Sequence, residues 1–302
     1  FFGGLDWVGF SWRYGIPPLG QVLGWWSSYV QYSPNSTLLC WVPHHALPGW
    51  LATIFVLRHW RQPTLARTLP LLAAAVPLWS PLVAIGILPF FLLGVNWPRD
   101  YKITFDKKSG LVFIPVGLIV LGYLGLDAGA VYHRWEWNDP FFTSTGMFIR
   151  WHLRFCLMEF GLLALALSQL RRLDTPFYLS LLLLFLLPLF YYGPMCNDLA
   201  LRGSIPSLTV LALACVAPLS KPRKSAAYGA LLILLLLGAI GAVQEPIRSL
   251  IQPRWIPLNL SYPQAAFVQI PGIENPYHPS YFARKNTHGI QPLLRQHPPF
   301  NP

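Results

Sequence analysis

The feature that most constrains this chain is its alternation of long apolar runs with short basic loops. Apolar stretches cover about 38–60, 69–95, 111–126, 147–170, 177–192, 207–219 and 226–243. Between them lie loops at 58–67, 97–109, 171–174 and 221–224, which hold 12 of the 22 Lys and Arg residues. Apolar runs near the length that spans a bilayer, with cations gathered in the loops on one side, are the pattern of a polytopic membrane protein. Only 11% of residues are charged, against roughly 25% in a soluble domain. The expected fold class is therefore all-α, with about 6–8 transmembrane or partly spanning helices, some of them broken.

Placing those loops in the cytoplasm puts residues 1–36, 127–146, 193–206 and 245–302 on the other side, and the first three of these segments hold only Arg13, Arg134 and Arg202. This orientation works only if 69–95, with Pro70, Pro77, Pro81 and Pro89 and the Trp79-Ser80-Pro81 turn, is a hairpin of two short helices. Three divisions follow. Residues 1–36 form an extracytoplasmic aromatic loop with short interfacial helices, its Trp and Tyr rings at the membrane surface. Residues 37–244 form the transmembrane domain. Residues 245–302 form a Pro-rich extracytoplasmic tail in which proline forbids long helices. The start of the chain shows no signal peptide. The net charge of +11 does not indicate nucleic-acid binding, because the cations sit in membrane loops and no basic, aromatic-interleaved domain carries them. Membrane lipids are the expected contact. Cys40, Cys156, Cys196 and Cys215 are scattered, and only a Cys40–Cys196 disulfide suits the topology.

The expected site starts at Gln31–Trp50, where Pro43, His44, His45 and Pro48 interrupt the opening of an apolar segment. Broken, polar backbone at membrane depth is tolerated where it lines a protein-enclosed or water-filled cavity. Most polar residues in or beside the spans fall on the same side, among them Asp6, Asp127, His133, Arg134, Asp139 and His152. Arg150 and Arg154 share a helix face and suit a phosphate, or snorkel to lipid headgroups. Glu159 lies mid-span and needs a partner, a structural role being the simpler reading. Asn197, Asp198 and Arg202 form either a helix cap with a salt bridge or a phosphate grip, with Pro206 breaking the helix after them. Asp6 is the candidate general base, or a turn residue after Gly3-Gly4. Adjacent histidines on a helix diverge by about 100°, so His44 and His45 suit hydrogen bonding to a ligand better than holding a metal, and no metal site is expected.

The strings FFGGLD, QYSPNSTLLCWVPHHALPGWLAT and NDLALRGSIPSL resemble the type-C glycosyltransferase superfamily of bacterial membrane proteins. The resemblance covers roughly 1–60 and 193–212 and elsewhere is architectural. It implies a polyprenyl-phosphate-linked sugar as donor and an acid in the first exterior loop, a position matched by Asp6. It also implies basic residues for the donor phosphate; Arg150, Arg154 and Arg202 are assigned by inference, not by motif. Asp6, His44 and His45 are then the catalytic candidates. Asn197, Asp198, Trp135 and Glu136 support the site, and the WEWNDPFF segment offers rings to stack on a sugar. The family places a span before that first loop and has more spans overall. Two other readings stay open: a non-catalytic subunit of a larger membrane complex, wrapped around a partner by the tail, and a transporter.

Overall fold

The computed structural model describes residues 3–17, 20–124, 131–193 and 196–251. Phe1, Phe2, Asp127 and residues 252–302 lie outside the described residues. The chain is mainly helical: α1 (Asp6–Tyr14), α2 (Asn35–Trp41), α3 (Pro43–Arg58), α4 (Pro63–Trp79), α5 (Pro81–Gly94), α6 (Trp97–Thr104) and α7 (Lys107–Leu124) come first. A two-stranded antiparallel ribbon of β1 (His133–Trp135) and β2 (Phe190–Tyr192) is interleaved with α8 (Thr145–Cys156), α9 (Leu162–Leu170) and α10 (Thr175–Leu186). The chain continues as α11 (Asp198–Gly203), α12 (Ile205–Leu219) and α13 (Ala226–Ile251).

Proline sets many of these boundaries. Pro43, Pro63, Pro81, Pro98, Pro176 and Pro206 all stand in the first turn of a helix. The ring's fixed φ suits that turn, and its missing N–H is not needed there. The 69–95 stretch is the expected hairpin, α4 and α5 meeting at Ser80. The expected span at 38–60 is instead two helices with a break at Val42. The helix expected over 177–192 ends earlier, and Phe190–Tyr192 pairs as a strand with His133–Trp135. Pro206 does not break its segment: Ser204 keeps helical backbone, and Asp198–Leu219 runs as one 22-residue apolar element. Helix α13 continues through Pro246 to Ile251, past the expected start of the tail at 245.

Among the described residues three helices are long and apolar enough to cross a membrane: Thr145–Leu170, Asp198–Leu219 and Ala226–Arg248. A fourth candidate is the broken pair α5 and α6, bent by 118°. The other apolar helices are shorter. With 16, 17 and 14 residues, α3, α4 and α5 reach about 21–26 Å at 1.5 Å per residue, less than a hydrocarbon core of about 30 Å.

Two apolar clusters hold the bundle. One joins α8, α9, α10, α12 and α13, with Phe155, Phe177, Leu167 and Leu184 at its centre. The other joins α3, α4 and α5 around Val56, Leu65, Ile87 and Phe90, and Ile205 and Val210 carry α12 into it. Gly86 and Gly203 allow α5 to cross this seam at backbone contact, since a Cβ on Gly86 would overlap the Gly203 carbonyl. Trp26, Tyr29 and Tyr32 do not lie at an interface as expected. They are buried in the first cluster because their polar tips find partners inside, which removes the penalty of burial. The Tyr32 hydroxyl donates to the Leu184 carbonyl (2.5 Å), and Tyr29 meets His152 Nδ1 (3.4 Å). Trp12 and Tyr14 do stay exposed.

The helix ends sort by charge. At one end Arg61 N–H donates to the Gly94 carbonyl, Arg99 Nη2 to the Arg61 carbonyl, and Arg223 Nη1 to the Leu170 carbonyl. Arg61, Arg171 and Asp174 line a shallow pocket there. The Arg61 bond is made by its backbone amide; the Arg223 guanidinium satisfies a carbonyl left open at the C-terminus of α9, where positive charge is favoured. The opposite end carries the starts of α3, α8 and α11 and the end of α13.

Candidate functional site: a cavity opposite the basic loops

A half-open cavity of about 380 Å³ lies at that opposite end. Its walls come from five parts of the chain. Asp6 enters from α1, Gln31 and Ser33 from the aromatic loop, and Thr37 and Trp41 from α2. Cys196, Asp198 and Arg202 come from the start of the Asp198–Leu219 element, and Gly241, Gln244 and Glu245 from α13. Most of the lining is apolar, Val22, Leu23, Leu38, Val42 and Leu201 among it, with amides, hydroxyls, an indole and charged groups set into it; such a concavity can bind a ligand that has both an apolar and a hydroxylated part.

The cavity's charged groups are set locally. Asn197 caps α11, its Oδ1 accepting from Ala200 N–H at 3.0 Å. One turn on, Arg202 Nη1 donates to Asp198 Oδ2 at 2.8 Å, while the buried Arg202 Nε has no protein partner. Both alternatives for this segment therefore share one geometry. It is a capped helix with an i,i+4 ion pair, and it leaves one guanidinium N–H unused. On α13, Arg248 pairs with Glu245 and stacks on Trp41, its Cζ 4.9 Å from the ring centre. Gln244 Oε1 accepts from Gly20 N–H at 2.6 Å and ties the aromatic loop to α13. Burial pushes the Cys196 thiol up to about 12, with the neighbouring Asp198 adding to it. At neutral pH it is a neutral wall group. The four cysteines are free, so the Cys40–Cys196 bridge does not form.

Asp6 is 3% exposed and sits at the back of the cavity. Burial raises its carboxyl to about 7, against the lowering effect of hydrogen bonds with Glu159 and Trp26. It is thus no simple turn residue. Desolvation poises it for proton exchange near neutrality. Glu159, read from sequence as a mid-span structural acid, lies against it in a π-helical turn, Leu157–Gly161, between α8 and α9. The Trp26 indole N–H donates to Glu159 Oε1 at 3.0 Å.

The other expected residues lie elsewhere. His45 Nδ1 meets Ser80 Oγ at 2.7 Å, at the α4–α5 junction, and its ring centre lies 4.1 Å from that of His44. Neither histidine is among the cavity walls; His45 bonds to the α4–α5 junction and His44 is exposed. Arg150 and Arg154 are both exposed on α8, as their spacing requires, but outside the cavity. Arg154 stacks on Trp12, with Cζ 5.4 Å from the ring centre. Among the described residues no group of three or more His, Cys, Asp or Glu could hold a metal ion.

Of the four supporting residues Asp198 is on the cavity wall, while Asn197 and Glu136 join a polar network beside it and Trp135 makes ring contacts. Asn197 Nδ2 donates to the Phe190 carbonyl (2.9 Å) and to Glu136 Oε1 (3.5 Å). Arg134 pairs with Asp139 and lies 4.0 Å from fully buried Glu136. Burial lifts Glu136 to about 7, with Arg134 and Asn197 pulling the other way. Trp135 and Trp137 stack at 4.7 Å and 11° and remain 48% and 40% exposed. Gln31 and Trp41 on the wall belong to the Gln31–Trp50 stretch expected to open the site, although neither was singled out within it. Gln244 and Glu245 were missed: they stand where the last apolar run gives way to the presumed tail, and no spacing marks them.

Comparison with protein-family models, curated proteins and solved structures finds no match to this chain.

Proposed function

We propose that the chain is a membrane-embedded glycosyltransferase of the bacterial inner membrane. It moves a sugar from a polyprenyl-phosphate-linked donor to an acceptor hydroxyl. The observation that carries this reading is the meeting of Asp6 and Arg202 in one cavity, at the end of the bundle away from the basic loops. By the positive-inside rule that end faces the extracytoplasmic side. Asp6 takes the proton from the acceptor hydroxyl as its oxygen bonds to the sugar's anomeric carbon. The bond from that carbon to the phosphate oxygen breaks. The phosphate leaves with the electron pair, and the guanidinium of Arg202 on the cavity wall receives it. Gln31, Ser33, Thr37, Gln244 and Trp41 supply the hydrogen bonds and apolar surface that a sugar needs. On this reading the shorter helices α3, α4 and α5 are partly spanning elements beside the three long ones.

The test is turnover of a polyprenyl-phosphate sugar by the purified protein. Asp6→Asn should lower turnover by about 10²–10⁴-fold, the usual worth of a positioned base. Arg202→Ala should weaken donor use. Unchanged turnover in Asp6→Asn refutes the assigned base. A protein silent with every donor, but found in a stoichiometric complex, would instead fit the non-catalytic subunit.

A further inference from the structure

The residues before Asp6 are held by backbone alone. Leu5 N–H donates to the Met158 carbonyl (3.1 Å), inside the π turn, and Gly3 N–H donates to the Gly238 carbonyl of α13 (3.3 Å). A π turn inserts a residue into the helix and disturbs the i→i−4 ladder, which leaves a carbonyl for an outside donor. Gly4, at φ +63°, passes so close that a Cβ would overlap the Glu159 carboxyl group. The loop thereby presses Asp6 against Glu159, with both side chains buried.

Read as two carboxylates, the arrangement does not balance. Asp6 Oδ1 and Glu159 Oε2 are buried and find no donor. Among the described residues no salt bridge reaches either group. From the aromatic loop the pair faces Trp26, Tyr29 and Tyr32, and from α8 it faces Cys156, all neutral near pH 7. From α13 it faces Gly241, and Glu245 beyond is tied to Arg248. Two buried carboxyl groups in contact, with no cation, cannot both ionise. One proton between them supplies the missing donor and gives the other carboxyl a bond to accept.

We infer that Asp6 and Glu159 are one acid pair that shares a proton, Glu159 being the positioning residue that holds the proton and donates to the Asp6 carboxylate. Asp6 then stays ionised toward the cavity. When it accepts a proton from a hydroxyl, the pair holds two, and the second leaves through the cavity mouth. The role of Asp6 as base rests on the transferase reading; the shared proton does not.

Infrared spectroscopy of the purified full chain in mildly alkaline buffer tests the pair without any turnover. The wild type should show a protonated-carboxyl C=O band that Glu159→Gln removes and Glu136→Gln leaves in place. Should Glu159→Gln not fold, labelling glutamate with ¹³C in the unmodified protein should move the same band. A missing band, one that does not move, or one replaced by a sodium-dependent signal overturns the inference. In the turnover assay Glu159→Gln, whose amide mimics the protonated acid, should stay within a few-fold of wild type, while Glu159→Ala falls as Asp6→Asn does. A folded Glu159→Gln that retains donor binding but loses turnover would mean that Glu159 acts as an anion, and would also overturn it.

Discussion

Replacing Gly4 by alanine should damage this protein out of proportion to the one methyl group added. The loss has two parts. At φ +63°, an L-residue pays about 1–2 kcal/mol for the left-handed conformation. The new Cβ would also stand 2.6 Å from Glu159 Cδ and 3.0 Å from its backbone Cα. The carboxyl group could swing aside only by leaving Trp26, and the backbone cannot. Overpacking of this kind adds about 1–3 kcal/mol. The sum, about 2–5 kcal/mol, is a large share of the roughly 5–15 kcal/mol that holds a domain together. Reversible denaturation in detergent measures it. A double-mutant cycle then isolates the contact. With Glu159→Ala as background the carboxyl atoms are gone, and the Gly4→Ala loss should fall toward its conformational part, a coupling of about 1–3 kcal/mol. A Gly4→Ala protein as stable as wild type, or a coupling near zero, would refute the packing of the Gly3–Asp6 loop on the π turn.

Other perturbations read other parts of the structure. Gly86→Ala should destabilise by about 1–3 kcal/mol or more in the same denaturation assay, because its Cβ would meet the Gly203 carbonyl and not a side chain that can move. Asn197→Ala removes the α11 cap and a donor to Glu136. It should lose about 0.5–2 kcal/mol for the cap and lower donor affinity in a binding assay by loosening Asp198 and Arg202. Glu136 titrates at about 7 in the folded chain against 4.5 in its ordinary state. Its raised value means that the folded state binds more protons than the unfolded one between those limits, so stability falls as pH rises through that window. Asp6 acts in the same direction, from 3.8 to about 7. Melting temperature against pH should show this fall, and Glu136→Gln should flatten it. Turnover that depends on ionised Asp6 should rise with pH through about 7.

Much of the architecture was legible in the residues alone, because hydropathy and proline act locally. Apolar runs, basic loops and first-turn prolines mark where helices begin and end, and the hairpin at 69–95 follows from proline positions and charge counting together. Asp6, Asp198 and Arg202 could be nominated because ionisable groups near membrane spans are costly and few. The strand at Phe190–Tyr192 was not readable, since an apolar, aromatic triplet suits a helix end as well as a ribbon and only His133–Trp135 decides between them. The burial of Trp26, Tyr29 and Tyr32 was hidden for a similar reason. A ring with a polar tip suits a membrane surface until a core offers that tip a partner.

The residues alone therefore settle which segments are helical and how they sort into a basic and a polar end, because both depend on short-range pattern. Tertiary structure decides which polar groups meet. It brings residues 6 and 159 together through one left-handed glycine and a π turn, and it sends His45 to Ser80 and Arg154 to Trp12, away from the cavity. Such meetings join parts of the chain far apart in sequence, and no local periodicity records them.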